Sequence, residues 1–139
     1  MTRLGVTITA ILCVGAAASA EPANAPLLPQ SARKLSGAEV KTLYDGMRAT
    51  FENFTQSELL TGSITHDLRQ NTQFGDFVMG GQKGSFRGSS HVKGDRYCYR
   101  SEAGRESCYW VFANGQTFYE VNSRGVVDTV KKPLRAAAE

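Results

Sequence analysis

Histidine is scarce in this 139-residue chain, with only His66 and His91, and tryptophan is represented by Trp110 alone. Three cysteines are present, at positions 13, 98 and 108. So few soft ligands exclude the paired-cysteine and paired-histidine spacings that hold structural zinc, and no metal or cofactor is expected. Basic and acidic residues number 16 and 13, for a formal net charge of +3, and neither sign forms a block. That balance lacks the concentrated positive face of a nucleic-acid binder. Long apolar runs are also missing. Leu4 to Ala17 is the only sustained one, and its roughly 14 residues fall short of the roughly 20 needed to span a bilayer as a helix.

That short run has the form of an export leader. Arg3 supplies the positive start, the apolar stretch follows, and Ala18-Ser19-Ala20 has the small-residue pattern of a cleavage site. Residues 1–20 are therefore expected to be removed, taking Cys13 with them. No transmembrane segment is expected in what remains, and the protein is expected to be periplasmic or secreted. Cys98 and Cys108 would then be the only thiols, in a compartment where disulfides persist.

Residues 21–34 hold Pro22, Pro26 and Pro29 and offer no packing period, which reads as a flexible tether. Ser36-Gly37-Ala38-Glu39 forms a capping box, with Leu35 and Val40 placed as a hydrophobic staple. Val40, Leu43, Tyr44 and Met47 continue at helical spacing, so a short helix is predicted over 37–46. It is too short to be stable unless it docks on other structure.

Beyond Arg48 the period falls toward two and glycine recurs. Strands are predicted over 48–54, 60–67, 73–79, 84–92, 95–101, 106–113, 116–122 and 125–130, with Gly62, Gly75, Gly80-Gly81, Gly94, Gly104, Gly115 and Gly125 at or near their ends. Phe51 and Phe54, three apart, leave a second helix as an alternative within 48–67. The fold class is mainly β (α+β): an antiparallel meander curling into a small barrel or coiled sheet, with one short N-terminal helix packed on it. A single domain over 35–130 is expected, and Lys131, Lys132 and Arg135 read as part of a solvated basic tail over 131–139.

Two turns set register. Glu102-Ala103-Gly104 fits a three-residue hairpin loop ending in a left-handed glycine. Counting outward pairs Arg100 with Glu106, Tyr99 with Ser107 and Cys98 with Cys108, close enough for a disulfide. Asn114-Gly115 fits a two-residue turn, which places Phe112 opposite Thr117, Val111 opposite Phe118 and Trp110 opposite Tyr119. Alternation then puts Tyr97, Tyr99, Tyr109 and Val111 on one face, and Cys98, Cys108, Trp110 and Phe112 on the other.

The candidate binding residues are Tyr97, Tyr99, Tyr109 and Trp110, which combine large rings with polar handles, together with the alternating Arg96 and Arg100. Cross-strand aromatic pairing explains the same cluster structurally. Gly80-Gly81-Gln82-Lys83-Gly84-Ser85 lacks the ending and the strand-to-helix context of a phosphate-binding loop, so it reads as a turn and a strand. His66 and His91 are the only possible histidine bases. Neither forms a dyad with its sequence neighbour, because adjacent strand residues face opposite ways.

Leu35-Ser36-Gly37-Ala38-Glu39, Gly84-Ser85-Phe86-Arg87-Gly88, Gly94-Asp95-Arg96-Tyr97-Cys98-Tyr99, Cys108-Tyr109 and the Gly115 to Gly125 hairpin resemble a family of small exported proteobacterial proteins, domain of unknown function nine hundred and ninety-five. The resemblance leads one to expect a tryptophan shortly before Gly94-Asp95, where this chain has Ser90. It implies a Gram-negative periplasmic or secreted setting and carries no activity. The function expected is a disulfide-stapled binding or accessory protein for an envelope component or protein partner. A periplasmic inhibitor of a protease or lysozyme is the alternative, and a small hydrolase using His66 or His91 is a further one.

Overall fold

Turn residues divide the chain after residue 47 into short extended segments, each long enough to pair only with its neighbour and too short to bury a face alone. The computed structural model describes residues 24–135, so the expected leader and the first residues of the tether lie outside the described part. After a two-residue strand β1 (Arg33–Lys34) and helix α1 (Gly37–Tyr44) come eight strands: β2 (Arg48–Asn53), β3 (Leu60–Asp67), β4 (Thr72–Met79), β5 (Gln82–Lys93), β6 (Arg96–Ser101), β7 (Glu106–Asn114), β8 (Thr117–Val121) and β9 (Val127–Pro133). Each of β2 to β8 pairs antiparallel with its successor, and β9 pairs with β2, which closes an eight-stranded up-and-down barrel. Closure leaves no free edge among β2 to β9, and the two-residue β1 adds to the outside of β7. No helix among the described residues is long and apolar enough to cross a membrane.

The capping box forms as the sequence dictates. The Glu39 amide donates to Ser36 Oγ at 3.2 Å, and the Ser36 amide donates to Glu39 Oε2 at 2.8 Å. A third donor at this terminus, the Gly37 amide, binds Asp95 Oδ1 in the β5–β6 turn at 2.9 Å. Gly37 presses against the Gly94 carbonyl so closely that no side chain fits there. These contacts seat α1 at one end of the barrel, where Val40 and Tyr44 are fully buried.

Strands occupy 48–53 and 60–67 with a loop between them, so the alternative of a second helix there is not realised. The Glu102-Ala103-Gly104 loop gives the expected register, with Cys98 opposite Cys108 and a disulfide joining them. The next hairpin departs from expectation. Asn114 pairs with Thr117 and Val111 with Glu120, so the turn is Gly115-Gln116 and every partner is two residues further on. Only Gly115 takes positive φ (60°), the pattern of a type II′ turn, which needs it at the first central position alone. A two-residue shift preserves side-chain facing, so the assignment of faces survives the error.

Two other boundaries move. Arg33 and Lys34 leave the expected tether to pair with Ala113 and Phe112 of β7. Lys131 and Lys132 are not a solvated tail: they belong to β9, and Lys131 is only 2% exposed. Gly62 and Gly75 lie inside β3 and β4.

Candidate functional site

Alternation along each strand sends one set of side chains into the barrel lumen. Around one side of the wall, glycines and aromatics stand directly opposite each other: Phe51 faces Gly62, Gly62 faces Phe77, and Phe77 faces Gly84, while one layer deeper Gly75 faces Phe86. Rings therefore lie over neighbouring glycines instead of filling the centre. A Cβ on Gly84 would come within 2.5 Å of Phe77 Cζ, and one on Gly88 would strike the Tyr99 ring. The result is a cavity of about 660 Å³, within the usual range for small-molecule sites.

The cavity opens at the end opposite α1, where Asn53, Thr55, Gln56, Ser101 and Arg105 form the rim. Its walls carry Phe51, Leu60, Phe77, Phe86, Tyr99 and Tyr109, with Phe51 and Phe86 edge to face at 5.7 Å. Toward α1 the lining turns polar, with Gln73, Tyr97, Glu120 and Lys131. A bulge opposite Glu120 and Val121 inserts an extra residue in β9, so the consecutive Asp128 and Thr129 both reach the lumen.

At this polar end Lys131 forms an ion pair with Glu120, and both side chains are almost fully buried. Lys131 Nζ lies 4.9 Å from the ring centre of Tyr44 and 5.0 Å from that of Tyr97, between two electron-rich faces. Burial lowers the affinity of Lys131 for its proton, while Glu120 opposes that effect. Asp128 accepts from Asn122 Nδ2 at 3.1 Å. Its carboxyl titrates above the usual 3.8, mainly through burial. Burial likewise raises the Tyr97, Tyr99 and Tyr109 hydroxyls.

His66 lies outside the cavity lining, fully buried and stacked on Tyr44 at 4.5 Å. The Tyr97 hydroxyl donates to Gln73 Oε1, so its oxygen is left to accept from His66 Nδ1–H at 3.2 Å. That network fixes the tautomer and leaves Nε2 with its lone pair unpartnered. Burial holds the imidazole neutral, pushing it well below its usual 6.5. Its role here is to brace Tyr97.

The sequence candidates are thus divided between two surfaces. Tyr97, Tyr99 and Tyr109 face the lumen, whereas Trp110, Arg96 and Arg100 lie on the outside. Trp110 sits between two cations, with Lys34 Nζ at 5.2 Å and the Arg96 guanidinium at 5.9 Å. Arg100 binds Glu106 at 2.8 Å, a contact that holds the Glu106 carboxyl below its usual range. His91 Nε2 is 3.9 Å from Glu106 on the same outer face. Cys98 completes a group of potential metal ligands with these two, but its sulfur is bonded to Cys108 and offers no thiolate. Sequence reasoning missed Glu120, Asp128 and Lys131. The sequence carries no local signal for them, because the last strand reads as ending at 130 and the partners lie on different strands.

No protein-family model, curated protein or solved structure matches this chain.

Proposed function

We propose that the protein is an exported binding protein that carries one small amphipathic molecule inside the barrel, with the apolar body against Phe51, Phe77 and Phe86 and a polar head toward Tyr97 and Gln73. The observation that carries this reading is the aromatic-on-glycine wall, which leaves a lumen of about 660 Å³ open at one end. Barrels of eight strands are wide enough to hold one small ligand. The Lys131–Glu120 pair makes the deepest charges self-compensating. A head without net charge, neutral or zwitterionic, enters there without leaving a buried charge unpaired. The disulfide and the leader-like N-terminus support an extracytoplasmic setting, as does the resemblance to the exported family.

An apolar fluorophore whose emission rises on leaving water, N-phenylnaphthylamine, tests the reading. Binding is expected to saturate at one dye per chain and to be lost in Ser107→Phe, which fills the lumen. Trp110→Ala, on the outside, should leave it unchanged. Equal binding by the Ser107→Phe protein, or none by the parent, rules the lumen out.

A further inference from the structure

Among the described lysines, Lys131 has an unusual setting: it lines a cavity while being only 2% exposed. Its neighbours are those of a reactive amine. Glu120 is in direct contact and can take a proton, and the rings of Tyr44 and Tyr97 enclose the nitrogen from two sides. Aromatic walls lead from the open end of the barrel to this point. A lysine removed from water gives up its proton more readily, which is how buried lysines become nucleophiles.

We propose that Lys131 captures aldehydes of aromatic or apolar molecules that enter the lumen, holding them as a protonated imine paired with Glu120. The inference rests on the lumen-binding reading above. Chemically, the Lys131 ammonium passes one proton to Glu120, and the freed lone pair attacks the carbonyl carbon. A C–N bond forms as the C=O π pair moves to oxygen. That oxygen takes one proton from the attacking nitrogen and a second back from Glu120, and leaves as water as the nitrogen lone pair forms the C=N bond, which restores the Glu120 carboxylate and the single positive charge on nitrogen. Nothing is oxidised or reduced. Because the product is again a cation beside Glu120, the buried pair keeps its charge balance, and the reaction leaves no unpaired charge in the barrel. The other titratable groups facing Lys131 are Tyr44, Tyr97 and His66; burial keeps both hydroxyls and the imidazole uncharged.

The test uses the mature protein with naphthaldehyde as the reactive probe and naphthylmethanol as its unreactive counterpart. Borohydride reduction fixes any imine as a secondary amine, adding one probe less one water plus two hydrogen atoms, and peptide mapping locates it. Modification at Lys131 is expected to exceed that at the exposed Lys41 and Lys83 by on the order of tenfold or more, because binding replaces a bimolecular encounter. Lys131→Arg should lose the lumen adduct and keep only the background modification of exposed lysines such as Lys41 and Lys83. If that variant does not fold, the mapped distribution in the parent decides alone. Binding of the alcohol with adducts spread over exposed lysines overturns the imine proposal and leaves the carrier reading standing. Failure to bind either probe overturns both.

Discussion

Gly84 stands directly opposite Phe77 across the β4–β5 ladder, and the phenyl ring occupies the space that any side chain at 84 would need. Gly84→Ala should therefore push the ring toward the lumen. Overpacking of this kind costs about 1–3 kcal/mol, which urea denaturation will read as a lower midpoint. Dye binding should weaken in parallel. An unchanged midpoint with unchanged binding would show that the ring does not define the wall.

The Cys98–Cys108 bond closes a loop with a sequence separation of 10. On the chain-entropy model, reduction or a Cys98→Ser/Cys108→Ser double substitution should lower stability by about 2–3 kcal/mol. Both cysteines lie on the outer face, so dye affinity of the folded fraction should not change. The urea midpoint with and without reductant, together with a dye titration, checks both statements.

Breaking the Lys131–Glu120 pair from one side should cost far more than replacing both partners. Lys131→Met alone leaves a buried carboxylate uncompensated, and Glu120→Leu alone leaves a buried ammonium; each should destabilise by about 3–5 kcal/mol. The double variant should recover most of that loss. A double-mutant cycle on urea midpoints measures the coupling, and additive losses would contradict a direct pair.

Acid sensitivity should begin at His66. Its folded-state proton affinity lies well below the usual value of 6.5, mainly because it is buried. The unfolded chain therefore binds a proton near pH 6.5 that the folded chain refuses. This contribution to stability is complete above 6.5 and is lost as pH falls below it toward the folded value, with a slope of at most about 1.4 kcal/mol per pH unit. Asp128, whose carboxyl is raised above 3.8, acts with the opposite sign just above that pH. His66→Phe should flatten the stability profile immediately below pH 6.5. A profile as steep as that of the parent would assign the sensitivity elsewhere.

The parts legible in the sequence were those fixed by local chemistry. Ser36 and Glu39 announce a helix start because two side chains and two amides satisfy each other within four residues. Gly104 announces the Cys98–Cys108 register because the loop needs a left-handed residue at its end. Period-two patterning separated Tyr99 and Tyr109 from Trp110, yet it could not say which face a closing sheet would turn inward, since both faces of a barrel wall carry rings. Gly62 and Gly75 look like punctuation in the sequence, although each lies inside a strand, where an opposing ring lies over Gly75 and two strands approach closely at both. Lys131 was read as a tail residue because its partner Glu120 lies on another strand, and a charge matched only in three dimensions has no local signature.

The seam between β2 and β9 joins Thr50 to Lys132, 82 residues distant in the chain. Without β9 docked on β2, the meander is an open ribbon with two unsatisfied margins, and no lumen is enclosed. Enclosure of the lumen and protection of those margins from other chains therefore depend on one and the same pairing, whose non-locality slows its formation. Loss of β9 would abolish both together.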